Sequence, residues 1–369
     1  MADPHGLRVA LTVEQVWQRT PGGSGTYVVE LSRALSEQPG VDAVGIAAWH
    51  REPPPSAWPV TIPVRRAPLP RRALYDAWQQ LHLPRAEHLV RGTDVVHATT
   101  WAIPPTRRPL VVTVHDLAFL HDRSHFTARG NAFFRRALDR VRDDAAAVVV
   151  PSQVTADECV AERIDAARIT VVPHGARVTR PSAAALADWR RRHGVVRDYV
   201  LWCGTVEPRK NLPTLLAAYQ QAALADLDLV LVGPQGWGRL PATGAELDHG
   251  RVHVLGSLDR PDLDAAYAGA RAFCFPSIRE GFGLPVLEAM HHGVPVVTSA
   301  GTACAEVAGD AALLVDALDV DALAEALVEA TGARHDELAA RSTQRAAAFS
   351  WERSAETTVS VYREVSGTH

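Results

Sequence analysis

The sequence predicts an α/β protein made of two doubly wound parallel sheets, one after the other. Three observations carry this. Short apolar runs without polar alternation recur along the chain, as in LRVALTV (7–13) and RAFCFPS (271–277), and strands apolar on both faces belong to sheets covered on both sides. Segments with helical apolar spacing lie between them. The alternation runs twice, interrupted by a polar, alanine-rich stretch at 176–198, and 369 residues suffice for two domains of ordinary size.

In order, LRVALTV is the first strand. A loop follows with Pro21, Gly22, Gly23, Ser24 and Gly25, then a helix over 26–37 in which Tyr27, Val28, Leu31, Ala34 and Leu35 share a side. Further strands fall at 41–49, 94–98, 110–116, 146–152 and 169–175, with helices clearest at 133–145 and 153–164. Residues 51–91 break the rhythm. They are proline-rich, carry seven arginines against three acids, and include Trp58, Tyr75 and Trp78. This segment reads as a solvated connection with one helix around ALYDAWQQLHL. The sharper alternative is an acceptor-binding or membrane-surface patch, since basic residues among aromatics attract anionic headgroups. The second series has strands at 198–204, 227–233, 251–256, 271–277, 294–299 and 311–316, with helices at 211–223 and 320–331 among others. The expected organisation is a first domain over 1–178, a second over 179–349, and a last helix in 350–369. No strand follows that helix, which leaves it free to pack back across the first domain.

Composition narrows the class. Hydrophobic content of 47% with 22% charged residues fits a soluble globular protein, and a net charge of -4 argues against a general nucleic-acid binder. The four cysteines, Cys159, Cys203, Cys274 and Cys304, are widely spaced without a CxxC. Neither a zinc site nor a disulfide framework is expected, and reduced thiols suggest the cytoplasm. MADPHGLRVALTV has no secretory apolar region, and no apolar run reaches the roughly 18 residues of a membrane helix. Of 38 basic residues, 37 are arginine and one is Lys210. A lone lysine in an arginine-biased chain hints at a position that wants a compact ammonium, although chance survival explains it equally simply.

Candidate chemistry gathers where strands end, because open parallel sheets bind ligands at their carboxyl edges. In REGFGLPVLEAMHHG (279–293), Gly281 and Gly283 free the backbone, Pro285 suits the first turn of a helix, and Val286, Leu287 and Met290 give that helix an apolar side. Such a helix start suits a phosphate, and Glu280 and Glu288 on either side suit sugar hydroxyls. The plain alternative is a Gly/Pro turn starting a core helix with two solvated acids. In CGTVEPRKNL (203–212), Asn211 can cap the next helix, with Pro213 in its first turn. Arg209 and Lys210 then stand at a positive helix end, a fork and a point charge for phosphate; otherwise they form a charged surface turn. His115, ending VVTVHD, reads by itself as a satisfied strand-end histidine bonded to Asp116. Its place at a strand terminus gives it a second reading, a group facing the ligand. Ser152 and His174 are weaker candidates that can simply close a turn or cap a helix.

These motifs together resemble the retaining glycosyltransferases of family four, with the GT-B fold: two Rossmann-like domains facing a central cleft. GTVEPRKNL and PSIREGFGLPVLEAMHHGVPVVTS carry the resemblance most specifically, with Glu280 and Glu288 at E-x7-E spacing. GGSGTYVVEL, the VHD strand end, CAEVAGDAALLVD and the SWERSAE…VYREV tail are also similar, so it covers nearly the whole chain. HDLAFLHDRSHF is most similar to mannosyltransferases of bacterial polysaccharides. The resemblance implies a nucleotide diphosphate sugar as donor, bound mainly by the second domain, with no cofactor and no divalent metal. Lys210 and Arg209 would hold the diphosphate and Glu288 the ribose. Glu280 would contact donor hydroxyls, helped by amides around Phe282, Gly283 and Leu284. Gly204 and Thr205 would lie beside the phosphates, and Gly256, Leu258, Arg260 and Leu263 along the base. Gly23 and Gly25 would approach from the first domain, and His115 would sit near the sugar. Two departures bear on the donor: Thr205 stands where many members have arginine, and His174 where an asparagine is frequent.

The implied reaction is metal-independent transfer of a hexose, mannose in the first instance, to an acceptor hydroxyl with retained configuration. GDP-mannose is the leading donor, with UDP-hexoses close behind. Retention ordinarily calls for a carboxylate nucleophile, and no residue is a clear candidate; the family implies same-face attack instead. Rival readings are a nucleotide-sugar epimerase or hydrolase on the same fold, a non-catalytic sugar-nucleotide-binding protein, and a dinucleotide oxidoreductase. The last lacks its G-x-G-x-x-G, since Thr26, Tyr27 and Val28 follow Gly25. The acceptor is a glycan, a lipid-linked sugar or a small metabolite, with membrane contact through 51–91 as the peripheral option.

Overall fold

A computed structural model describes residues 6–121, 127–222, 224, 226–236, 238 and 250–367. The chain divides into two compact units, one formed by Met1–Gly175 with Trp351–His369, the other by Ala176–Ser350.

The first unit runs β1 (Leu7–Thr12), α1 (Gly22–Ser36), β2 (Val41–Ala47), β3 (Val64–Arg66), α2 (Arg71–Gln80), α3 (Ala86–Leu89), β4 (Val95–Ala98), β5 (Leu110–Thr113), α4 (Ala118–His121), α5 (Ala128–Asp144), β6 (Ala147–Val150), α6 (Gln153–Ala161) and β7 (Ile169–Val171). Its sheet has the order β3-β2-β1-β4-β5-β6-β7, with every pair parallel. The central strands are buried throughout, which is why their sequences are unbroken apolar runs.

The second unit runs α7 (Ala183–His193), β8 (Asp198–Cys203), α8 (Leu212–Gln221), β9 (Leu227–Val232), β10 (Val252–Gly256), α9 (Arg260–Ala268), β11 (Ala272–Phe275), α10 (Leu284–His291), β12 (Val296–Ser299), α11 (Ala303–Ala308), β13 (Ala312–Val315), α12 (Val320–Thr331) and α13 (His335–Ala346). Its order is β10-β9-β8-β11-β12-β13, again parallel throughout. Strand order reverses between β1 and β4 in one sheet and between β8 and β11 in the other, and crevices for ligands open at such switch points. The last helix, α14 (Trp351–Ser366), lies against α1 in the first unit. Its buried side, Trp351, Ala355, Thr358, Val359 and Tyr362, follows helical spacing.

Four local expectations need correction. Gly22–Gly25 is not a loop before α1 but its first turn, where the Gly25 N–H already donates to the Pro21 carbonyl. A Cβ on Gly25 would lie 2.3 Å from that of Pro21, so this glycine answers to packing. The stretch 176–198 is not merely polar: it holds α7, capped by the Ser182 hydroxyl, ended by left-handed Gly194 and anchored by buried Trp189. Residues 51–91 contain more than one helix, since β3 adds an edge strand and α3 a further turn. Asn211 occupies the start of α8 without capping it. Its side chain instead donates to the Ala317 carbonyl and accepts from the Thr214 hydroxyl at 2.7 Å.

Candidate functional site

In the second unit, the carboxyl ends of β8, β9 and β10 turn over glycines. The Gly204 N–H donates to the Val232 carbonyl at 2.9 Å, and the Gly233 N–H to that of Gly256 at 2.8 Å. A Cβ on Gly233 would lie 1.9 Å from the Gly204 carbonyl oxygen, so only glycine fits there. Past Gly204 and Thr205 a single 3₁₀ turn, Pro208–Lys210, leads into α8. Across the switch point, β11 leads through Ser277 to Glu280, and Gly283, at φ 107°, starts α10 with Pro285 in its first turn.

Lys210 and Glu280 meet directly. The ammonium donates to Glu280 Oε1 at 2.5 Å, and both side chains are buried. Arg209 reaches Glu280 Oε2 at 2.8 Å, and the Ser277 hydroxyl donates to Oε1 at 2.8 Å. The loop is pinned from the backbone as well, because the Arg209 carbonyl accepts from the Ile278 N–H at 2.8 Å, and the single Ser277 hydroxyl proton is shared between Glu280 Oε1 and that carbonyl, 2.9 Å away. Burial works against the Glu280 charge, yet Arg209, Lys210 and Ser277 outweigh it and bring the carboxyl down to about 2. The Lys210 ammonium also lies 4.7 Å from the centre of the Phe275 ring. The result is a fixed, ionised cluster at a switch point, suited to a ligand with both hydroxyls and negative charge.

Arg209 is not free to serve as a phosphate fork alone. It also bonds Glu207 at 2.8 Å and the Arg279 carbonyl at 3.0 Å, and so acts as a brace for Glu280. Glu288, one turn into α10, pairs with Arg260 at 2.5 Å rather than with Lys210. Electrostatics still join the two groups: burial and Glu288 push the Cys203 thiol at the end of β8 up to about 12, against the opposing Tyr267, Lys210 and Arg260. Lys210, Arg260 and Glu288 therefore all act on the edge where Gly204 stands. Phe282 turns its side chain into the core against Phe349, which leaves only its backbone for a ligand. Leu258, Leu263 and Leu284 are partly buried against the same core.

Ser277, Glu207, Asp264 and His292 escaped the sequence reading. Ser277 lay inside the quoted PSIREGFG run, two residues beyond the end of β11. Asp264 sits four residues after Arg260 on α9, a spacing that pairs side chains on a helix face. Nothing local in the sequence pointed to Glu207 or His292.

In the first unit, Gly23 is exposed in the first turn of α1. His115 does not bond Asp116, whose carboxylate accepts instead from the Ala118 N–H at 3.0 Å. The His115 Nε2–H donates to the Thr99 carbonyl at 3.0 Å. Burial lowers its pKa, against Asp116 and that bond, so the ring is neutral at neutral pH. Ser152 caps α6 through the Thr155 N–H. His174 stacks on Trp351, with ring centres 5.4 Å apart, and is a packing residue. Beneath them runs a buried chain: Tyr362 hydroxyl to His97 Nδ1 at 2.5 Å, His97 Nε2 to Thr113 at 2.7 Å, and Thr113 to the Tyr27 hydroxyl at 2.8 Å.

Of the stretch 115–126 that resembles polysaccharide mannosyltransferases, residues 122–126 lie outside the described residues. Among the described residues, no group of three or more His, Cys, Asp or Glu is placed to hold a metal ion, and no helix is long and apolar enough to cross a membrane.

Known proteins match this arrangement. Residues 21–180 match the glycosyltransferase family 4 domain and residues 197–332 the glycosyl transferases group 1 domain. The chain is 30% identical over 318 residues to the O-antigen chain mannosyltransferase B of Escherichia coli, covering 81% of each. It is 29% identical over 408 residues to the D-inositol 3-phosphate glycosyltransferase of Kribbella flavida, covering 94% of this chain and 92% of that one. Among solved structures, the sucrose-phosphate synthase of Thermosynechococcus elongatus superposes with a TM-score of 0.76 at 23% identity, covering 98% of this chain and 100% of that one. HepE of Anabaena, solved with UDP and glucose, gives 0.74 at 18% identity, covering 96% and 98%. Two parallel-sheet α/β domains of the GT-B type and a relative at 30% identity across four-fifths of both chains lead to one statement: the chain belongs to glycosyltransferase family 4.

Proposed function

We propose that the protein transfers a hexose, mannose first among candidates, from a nucleotide diphosphate sugar to an acceptor hydroxyl, with retained anomeric configuration and without a divalent metal. The observation that carries this reading is the Lys210–Glu280 pair, braced by Arg209 and Ser277 beside Gly204. One sugar phosphate can touch both partners, its hydroxyls on the carboxylate and its phosphate on the ammonium. When the bond from the anomeric carbon to the phosphate oxygen breaks, the electron pair goes to the departing diphosphate. A cation already fixed beside it stabilises that charge without reorganisation. The acceptor oxygen then bonds the same face of the anomeric carbon, and its proton passes to the departing phosphate.

His115, Gly23 and Gly25 take the donor-binding parts that the family resemblance assigns them. Mannose is supported by the mannosyltransferases among the relatives, one of them a phosphatidyl-myo-inositol mannosyltransferase from Mycolicibacterium smegmatis that is 32% identical over 207 residues, covering 53% of this chain and 52% of that one. GDP-mannose is the donor we favour; UDP-glucose is the second, because HepE was solved with it. The enzyme works in the cytoplasm on a glycan, lipid-linked sugar or small metabolite, with residues 51–91 as the membrane-facing option.

Incubation with GDP-mannose or UDP-glucose and an acceptor panel, followed by NMR of the product, tests the proposal. An α-linked product from the α-configured donor supports it. An inverted product, or donor turnover unchanged by any acceptor as expected of an epimerase or hydrolase, overturns it.

A further inference from the structure

Arg260 stands where two carboxylates converge. Its Nη1 donates to Glu288 Oε1 at 2.5 Å and its Nη2 to Asp264 Oδ1 at 2.6 Å. The two acids differ in how far the protein has used them. Asp264 is buried, and it also accepts from His292 Nε2–H and from the Thr179 backbone N–H, each at 3.1 Å. Both its oxygens are committed inside the protein. Burial opposes its charge, but His292 and Arg260 keep the carboxyl below its usual range. Among the described residues Glu288 accepts from Arg260 alone and only through Oε1, so Oε2 has no partner among them.

A guanidinium is planar, and bonding to two different carboxylates fixes both its position and its plane. Arg260 is itself partly exposed, so without Asp264 behind it the side chain would sample several rotamers and Glu288 would lose its guide. We infer that Asp264, acting through Arg260, is a positioning residue that holds Glu288 in the orientation needed to accept the hydroxyls of the donor's ribose. This rests on the reading of Glu288 as the ribose acid. Oε2 accepts one hydroxyl, and Oε1 retains a second lone pair for its neighbour. Asp264 touches no ligand.

The test is isothermal titration of the whole protein with GDP and UDP and with their 2′,3′-dideoxy forms. Wild type should prefer the ribose form by about tenfold or more, as expected for hydrogen bonds to a charged acceptor. In Asp264→Asn that preference should fall below about twofold, while the affinity for the dideoxy form, held through its phosphates, stays near wild type. Arg260→Lys, which keeps the charge but cannot bridge both acids, should lose the same preference for the ribose form whatever it does to overall affinity, and serves if Asp264→Asn does not fold. A uniform drop for both nucleotide forms would mean a purely structural role and overturn the inference. So would folded variants that retain the wild-type preference. Wild type that binds neither nucleotide would remove the proposed function, and this inference with it.

Discussion

The two sheets share one strand order, yet their carboxyl ends are built from different chemistry. In the first unit one line of buried polar groups is made of hydroxyls and imidazoles, Tyr362, His97, Thr113 and Tyr27, which satisfy one another, while the buried Glu14 carboxylate after β1 is taken up by the Ala48 N–H and His50. Burial, helped by His115, lowers His97 to about 3, so it is neutral wherever the protein works. In the second unit the corresponding edge carries permanent charge, with Lys210, Arg209 and Glu280 in contact and Arg260 between Asp264 and Glu288. A neutral line that satisfies itself stabilises a fold and offers a ligand little. A cluster of fixed charges costs desolvation, and the family relationship suggests what offsets that cost, an ionic substrate. The same topology thus carries a self-satisfied neutral line in one unit and a cluster of fixed charges in the other.

Lys210→Ala cuts deepest into this contrast. Steady-state transfer should fall by roughly 10² to 10³ or more, the scale for losing one donor to a developing oxyanion. Thr113→Val in the neutral line should leave turnover within about threefold, since surrounding stability effects reach a site only weakly. Comparable losses in both would erase the distinction.

Acid titration separates the units by where instability begins. His97 has a folded pKa below its unfolded value, so its contribution is complete above about pH 6.5 and is lost as pH falls toward 3. Glu280 follows the same sign from a lower start: its contribution is complete above about 4.5 and disappears toward 2. Thermal melts at a series of pH values should therefore show His97→Gln flattening the slope between pH 6.5 and 4.5, with Glu280→Gln acting only below it. A reversed order would count against the charge assignments.

Smaller effects sharpen the picture. Gly283→Ala must hold φ at 107° and set a Cβ 2.9 Å from Cys304 Sγ, and should lose about 1–3 kcal/mol in a denaturant melt. Tyr362→Phe leaves His97 Nδ1 without its partner, which should cost about 1–2 kcal/mol with unchanged donor affinity in a titration. Gly23→Ala, in an exposed helical turn, should stabilise the protein by about 0.5–1 kcal/mol. A raised donor KM in that stabilised variant would mark Gly23 as a place of ligand approach, and an unchanged KM would make it an ordinary helix glycine.

Much of the site could be read without coordinates because its signals were local. A glycine that must be left-handed, a proline in the first turn and three apolar residues at helical spacing specify the start of α10 within eight positions. The lone lysine of an arginine-rich chain flagged Lys210, and geometry now explains a compact ammonium there: it fits between Glu280 and the Phe275 ring. Other features were hidden for physical reasons. The first turn of α1 resembled a loop because glycine has low helix propensity, which packing against α14 and Trp58 overrides. In α7 only Leu186 and Trp189 face inward, too few for a periodic signal. His97 sat in the apolar run VVHA with no hint of its partner, which lies 265 residues away.

The sequence by itself determined the succession of strands and helices, the glycine turns and which polar residues stand at the strand ends, because each is settled by neighbours within a turn or two of backbone. Only tertiary structure decided which of those residues act together. Lys210 meets Glu280 across 70 positions because β8 pairs with β11 at the switch point, and Glu288 belongs to Arg260 and Asp264 because α9 and α10 pack side by side. Electrostatic partnership falls off with distance in space, and a linear chain records distance only along itself.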